Sequence, residues 1–256
     1  MITLKAGAVV YPTAVLDGDV EIGFNSVVLS GESPEKITRI MSGSIIGANA
    51  TIYEGITLGR GCRVMPGSVV RQSVPPLAIV VGNPASIVGY ENTAVHGLAV
   101  AVSTDRVGSV STSVRGVQLF KFSNIADMRG NLTVGEFERQ IPFSPMRDFV
   151  VHGVPTAETR GEHAHIQCHQ FLIALGGSVN VIADDGERRE EFVLDRNNLG
   201  LYLPPMTWGI QYRYSTDAVL LVFASDFYDP DDYIRDYEGF IEKARSEVAS
   251  AHERGD

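Results

Sequence analysis

The chain has 256 residues, 44% of them hydrophobic, which is enough for two modest domains or one large one. Its net charge of -10, with no cluster of lysine or arginine, argues against nucleic acid or an anionic membrane as partner. Two cysteines, Cys62 and Cys168, are too few for a disulfide framework and fit reduced thiols in a cytoplasmic protein. The opening residues lack the apolar core of a secretion signal, and no stretch of roughly 18 apolar residues reads as a membrane span.

Counting in sixes from Val10 gives Leu16, Ile22, Val28, Pro34, Ile40, Ile46, Ile52, Leu58, Val64 and Val70, ten aliphatic positions of eleven. A second register four residues later holds small or β-branched side chains: Ala14, Val20, Ser26, Ser44, Ala50, Ile56, Cys62, Ser68 and Val74. A helix would place apolar residues three and four apart. A period of six needs short strands joined by corners, one inward aliphatic per face, three hexads per coil. Stacked coils bury the ladders, so each depends on its neighbours. Gly31 to Arg39, with Pro34, interrupts the pattern without losing phase and reads as a loop or one irregular face.

This register resembles the hexapeptide-repeat family, which folds as a left-handed parallel β-helix. The stretch from Val74 to Ala85, VPPLAIVVGNPA, is similar to the exit sequence of its acyltransferases. The resemblance covers about residues 2–90. It implies a trimer with coenzyme A, as acetyl-CoA, bound near Gly82, Asn83, Pro84 and Ala85. Acyl transfer usually wants a histidine as general base. None precedes His96, and the 31–39 loop offers only Glu32 and Glu35, so an oligomerisation scaffold is the alternative role for this part.

Residues 96–115 are poor in large apolar side chains and rich in serine, threonine and glycine. They read as a linker between a domain at 1–95 and a second at 116–256.

Beyond it, short runs of strand character alternate with turn signals: Val117 to Phe122, Leu132 to Phe137, Asp148 to His152, His163 to Ala174, Ser178 to Ala183, Arg188 to Leu194, Gly200 to Leu203 and Ala218 to Ala224. Such a series predicts a sandwich or jelly roll, with Asp184-Asp185-Gly186 as a hairpin turn. After Ser225 the pattern becomes helical, with Asp229 as cap, Pro230 in the first turn, and Ile234, Tyr237, Ile241, Ala244 and Val248 at helical spacing. The fold class expected is therefore all-β, a β-helix followed by a jelly roll with a C-terminal helix.

The informative segment is Thr159 to Phe171, TRGEHAHIQCHQF. Residues two apart on a regular strand share a face, so His163, His165 and His169 can enter one cavity. Three imidazoles suit zinc, yet no carboxylate joins them. The later stretch from Gly200 to Gln211 has no histidine to complete such a set.

His163-Ala164-His165 followed by Gly176-Gly177 resembles the first cupin motif. Together with Arg129-Gly130-Asn131-Leu132, Thr159-Arg160-Gly161, Pro204-Pro205-Met206-Thr207-Trp208 and Ala224 to Asp229, it resembles the WxcM-like, metal-independent sugar 3,4-ketoisomerases over about residues 115–240. Members that join such a cupin to a hexapeptide-repeat acyltransferase are known. The resemblance implies a dTDP-4-keto-6-deoxyhexose as ligand, a dimer, and hence with a trimeric β-helix a hexamer. It implies proton transfer by His163 and His165, with no metal and no cofactor for the isomerisation.

Histidine suits both halves of that transfer, because its unperturbed pKa of ~6.5 lets neighbours set either protonation state. Arg160 is the candidate cation for an enediolate, Arg147 for the diphosphate, and Gln170 for a sugar hydrogen bond. Trp208 and Tyr202 read as barrel packing first and ligand platforms second. Where many relatives carry a histidine this chain has Gly209, and where they carry aromatic hydroxyls it has Phe149 and Val150. Two other classes stand beside this reading: an acyltransferase with a sugar-binding cupin that does no chemistry, and a metal-dependent cupin enzyme.

Overall fold

The computed structural model describes residues 1–95, 107–155 and 158–254, folded as two compact units, Met1–Asn92 and Thr93–Asp256.

In the first unit the hexad pattern becomes three parallel sheets of two- and three-residue strands. Ile22, Ile40, Ile52 and Leu58 have no exposed surface, and Val28, Ile46, Val64 and Val70 are buried with them. The second register closes the corners: Ser26, Ser44, Ala50, Cys62 and Ser68 are buried there. Ser26 and Ser44 donate their hydroxyls to the carbonyls of Gly47 and Gly59. Glycine is required where one coil's corner lies on the next, since a Cβ on Gly47 would stand 2.5 Å from the Pro66 nitrogen.

The 31–39 interruption is a loop. Val10 pairs with Val28 and Ile46 with Val64, 18 residues on, whereas Leu16 pairs with Ile40, 24 residues on. The coil that contains it is thus one hexad longer, and the extra residues form a short 3-10 turn, Pro34–Lys36. Thr38 returns the chain to the prism, its hydroxyl donating to the carbonyls of Leu29 and Tyr53. The unit ends in an antiparallel hairpin, Ala78–Gly82 with Ala85–Tyr90.

The second unit holds two six-stranded sheets. One runs Ala94–Val95, Arg189–Leu194, Val179–Asp184, Trp208–Tyr212, Arg160–His165, Tyr233–Ile234; the other runs Gly108–Ser111, Gln118–Lys121, Leu199–Leu203, Gln170–Gly176, Val219–Ala224, Arg147–His152. Leu172, Val181, Phe192, Leu201, Leu220 and Val222, drawn from both, form the core between them. The stretch read as a linker lies partly outside the described residues, at 96–106, and partly in the strand Gly108–Ser111, which pairs with Gln118–Lys121.

The Asp184-Asp185-Gly186 turn forms as expected, the two aspartates accepting from the amides of Gly186, Glu187 and Arg188. A helix, Tyr237–Arg254, packs Tyr237 and Phe240 against Trp208. Among the described residues, no helix is long and apolar enough to cross a membrane.

Two expected elements differ. The run His163 to Ala174 is not one strand: Arg160–His165 and Gln170–Gly176 lie in different sheets. The backbone between them is drawn off by other partners, Ile166 N–H to the Asp232 carbonyl and His169 N–H to the Ser225 hydroxyl. The C-terminal helix also starts later than the sequence suggests. Asp229 and Pro230 open a 3-10 turn, Pro230–Asp232, then Tyr233–Ile234 pairs with Ala164 and His165, and only Asp236 caps the helix by accepting from Gly239 N–H. Strand pairing here outweighs local helix signals.

Candidate active site

The histidine strand is irregular where it matters. A bulge falls between Gly161 and His163, with Gly161 at φ +80° and Glu162 at φ +56°. On a regular strand Arg160 and His163 would point to opposite faces. The inserted residue brings them to the same one: Arg160 lies opposite Gln211 and His163 opposite Gly209. Those two are paired in turn with Val181 and Ala183, whose side chains belong to the core. Arg160, His163 and, two residues on, His165 therefore face the barrel interior. Gly161 is needed at the bulge, for a Cβ there would lie 2.6 Å from the Gly209 carbonyl oxygen.

The two imidazoles meet edge to face, ring centroids 5.0 Å apart, and both rest on Tyr233, at 4.9 Å from His163 and 4.4 Å from His165. His163 Nδ1 lies 2.8 Å from the Gly161 carbonyl oxygen. A carbonyl only accepts, so Nδ1 carries the hydrogen and Nε2 keeps its lone pair. His165 Nδ1 lies 2.7 Å from Asp232 Oδ2 and donates to it, while the Gln170 amide, 3.0 Å away, donates to His165 Nε2. The other Asp232 oxygen accepts from Gln167 N–H at 2.7 Å, which fixes the carboxylate.

Burial drives His163 down to about 4, with His165 and Arg235 adding repulsion against the Gly161 hydrogen bond and Asp232. Burial also lowers His165, opposed by Asp232 and reinforced by Arg147 and Arg235. Both rings are therefore neutral near pH 7, and the carboxylate holds only one of them.

Of the residues expected at a site, the structure brings together His163, His165, Gln170 and Arg147. Arg147 shares the electrostatics of His165, its guanidinium lying over the rings of Phe149 and Tyr228 at 5.7 and 5.6 Å. Its buried Nε has no hydrogen-bond partner among the described residues. Arg160 faces inward but is exposed; burial raises the Tyr214 phenol, and the charge of Arg160 opposes that rise.

His169 does not join the pair, because the turn at 166–169 sends it to the other sheet, where it stacks on Tyr202 and bonds its hydroxyl at 2.5 Å. A zinc site of His163, His165 and His169 is thus not assembled, and Tyr202 serves His169. Trp208 is buried beneath the C-terminal helix. Gly209 stands beside His163 in the ladder. Gly82, Asn83 and Pro84 are exposed at the tip of the first unit's terminal hairpin, with Ala85 half-buried and the Asn83-Pro84 bond cis.

Asp232, Tyr233 and Arg235 were invisible as site residues in the sequence. The signal present was Asp229-Pro230-Asp231-Asp232, which reads equally well as a helix start.

The family model described as WxcM-like, C-terminal, matches residues 115–245, just over half of the chain. The chain belongs to the WxcM-like family. A bacterial transferase hexapeptide model, six repeats long, matches residues 37–72, so the WxcM-like unit is fused to hexapeptide repeats. The TDP-4-oxo-6-deoxy-alpha-D-glucose-3,4-oxoisomerase of Aneurinibacillus thermoaerophilus is 42% identical over 123 residues, 48% of this chain and 88% of the relative. The first unit is similar to serine acetyltransferase of Salmonella typhimurium, 44% identical over 92 residues, 35% of this chain but only 33% of that protein's length.

Among solved structures, the sugar 3,4-ketoisomerase QdtA of Thermoanaerobacterium thermosaccharolyticum in complex with TDP is 38% identical, with a TM-score of 0.51 over 52% of this chain and 97% of its own. A histidine-to-asparagine mutant of that enzyme, in complex with TDP-4-keto-6-deoxyglucose, is 37% identical with the same TM-score, covering 52% of this chain and 96% of its own.

Proposed function

We propose that the WxcM-like unit interconverts a dTDP-4-keto-6-deoxyhexose and its 3-keto isomer by proton transfer through His163 and His165. The carbonyl at C4 acidifies the hydrogen at C3. His163 Nε2, the imidazole nitrogen with no hydrogen bond among the described residues, takes that hydrogen and leaves an enediolate. A proton then returns at C4 from the imidazole pair, and the hydroxyl hydrogen of C3 passes to the oxygen of C4, so the carbonyl ends at C3 with nothing gained or lost.

Asp232 holds His165 in one tautomer and balances its charge when a proton resides there. Arg160 and Arg147 are the cations for the enediolate and the diphosphate, the free Nε of Arg147 being a donor with no other claim on it. Gln170 binds the sugar by exchanging its contact with His165. No step calls for a metal or a redox cofactor.

The observation that carries this reading is the arrangement of the pair: two neutral rings 5.0 Å apart, one pinned by a carboxylate and one with a free nitrogen. Incubation with dTDP-4-keto-6-deoxyglucose in deuterated water, followed by NMR, should show label entering at C3 and C4. His163→Asn and His165→Asn should each abolish it while retaining nucleotide binding; an unaltered protein that exchanges nothing would sink the reading.

For the first unit the proposal is acetyl-CoA-dependent N-acyl transfer, with the cofactor at Gly82, Asn83, Pro84 and Ala85, to a deoxyamino sugar that a separate aminating enzyme makes from the 3-keto product. The likeness to serine acetyltransferase supports it. The setting proposed is the cytoplasm. The assembly proposed is a hexamer, trimeric through the β-helix and dimeric through the barrel.

A further inference from the structure

We propose that His165, Cys168 and Asp232 form a binding site for a zinc-type divalent cation, and that filling it switches the isomerase site off. The second half rests on the proton-transfer role of His165; the first half does not.

The ligand atoms of these three residues lie within 4.8 Å of one another, and they are the one such group of three among the described residues. They come from two places in the chain. The turn that separates the histidine strand from Gln170–Gly176 folds Cys168 back toward His165, and the 3-10 turn Pro230–Asp232 delivers the carboxylate. Nitrogen, sulfur and oxygen donors in a compact set suit zinc, whereas magnesium and calcium prefer oxygen alone.

The carboxylate is already oriented, Oδ1 being held by Gln167 N–H, which leaves Oδ2 for the ion. Cys168 is a free thiol with only long contacts, 3.4 Å to the His169 carbonyl and 3.9 Å to the Ser225 hydroxyl, so little is lost when it becomes a thiolate ligand. Asp232, with 14% of its side chain exposed, opens the site to solvent.

Proton accounting explains why the ion inhibits. It replaces the hydrogen that Nδ1 now donates to Asp232, and a neutral imidazole metallated at Nδ1 must carry its hydrogen at Nε2. The Gln170 amide turns over so that its oxygen accepts that hydrogen. The imidazole therefore loses one proton and gains one, and the thiol proton goes to solvent, a net release of one. His165 can then neither accept at Nε2 nor lean on the carboxylate.

Cobalt(II) alone, titrated into the full chain, tests the site directly. One equivalent should raise a thiolate-to-cobalt charge-transfer band in the near ultraviolet, abolished by zinc and by a chelator. One equivalent of zinc should lower proton exchange on the order of 10²-fold, the lower end of what acid–base catalysis contributes, and a chelator should restore it.

Cys168→Ser should keep the metal-free activity and lose both the band and the zinc effect, with Cys168→Ala as the second variant if the serine does not fold. His163→Asn and His169→Asn should keep the band. Absence of the band in the unaltered protein, its survival without Cys168, or its loss without His169 would each overturn the site. A normal band with undiminished exchange would overturn the switch alone; a normal band on a metal-free protein that never exchanges would overturn the catalytic reading and leave the site standing.

Discussion

His163 and His165 have the same side chain and sit on the same wall, yet their surroundings give them different work. His163 is bound through Nδ1 to a backbone carbonyl, which cannot take up a proton; His165 is bound to a carboxylate, which stabilises its charged form. Replacing Asp232 by asparagine removes that stabilisation and lets His165 adopt either tautomer. We expect Asp232→Asn to lower kcat on the order of 10²-fold with little change in KM, read by steady-state kinetics.

The depressed His163 also ties stability to pH. Folded, it titrates at about 4; unfolded, at its ordinary 6.5. Between those values the unfolded chain binds a proton that the native protein refuses, so stability falls as pH drops from 6.5 toward 4 and the contribution is fully lost below that. Urea unfolding across this window should show a slope that flattens in His163→Asn. An unchanged slope would mean the ring is not the group responsible.

At the scale of elements, the bulge in Arg160–His165 decides what the barrel contains. Without it Arg160 would leave the interior face that His163 occupies. Gly161→Ala puts a Cβ against the Gly209 carbonyl oxygen in a left-handed backbone conformation, and should cost about 1–3 kcal/mol of stability by denaturant titration. Exchange activity should fall by more than that loss of folded protein explains, because the register of both histidines moves with the bulge. The neighbouring turn at 166–169 has the opposite effect, removing His169 from the pair and giving it to Tyr202. One strand with three inward histidines is what alternation predicts, and alternation holds only while the backbone keeps its ladder partners.

At the scale of the molecule, the two units are built on different principles. The β-helix buries one aliphatic per hexad against the coils above and below, while the barrel buries the inner faces of two sheets against each other. Both leave large apolar side chains uncovered. Phe24, Tyr11 and Val9 are 54%, 45% and 49% exposed on the first, and Leu175, Val150 and Leu132 are 50%, 46% and 57% exposed on the second. The interfaces proposed for the two units would draw on such side chains. Light scattering should give a mass six times that of the 27.7 kDa chain. A monomer would sink the proposed hexamer.

The sequence by itself determined the β-helix almost completely, including the phase-keeping insertion at 31–39, because a solenoid core is built from contacts that repeat every few residues and so leaves a periodic trace. It also singled out His163, His165, Arg147 and Gln170 as candidates, the histidines through a motif local to one strand and the other two by their place beside strands. Only the tertiary structure decided how the imidazole nitrogens are bonded, that His169 is elsewhere, and that Asp232 and Tyr233 lie against the histidine pair. Those outcomes depend on a bulge, on backbone bonds drawn to distant groups, and on the pairing of His165 with Tyr233, far along the chain. Such long-range competition has no period, and the residues it recruits look, in the chain, like the start of a helix.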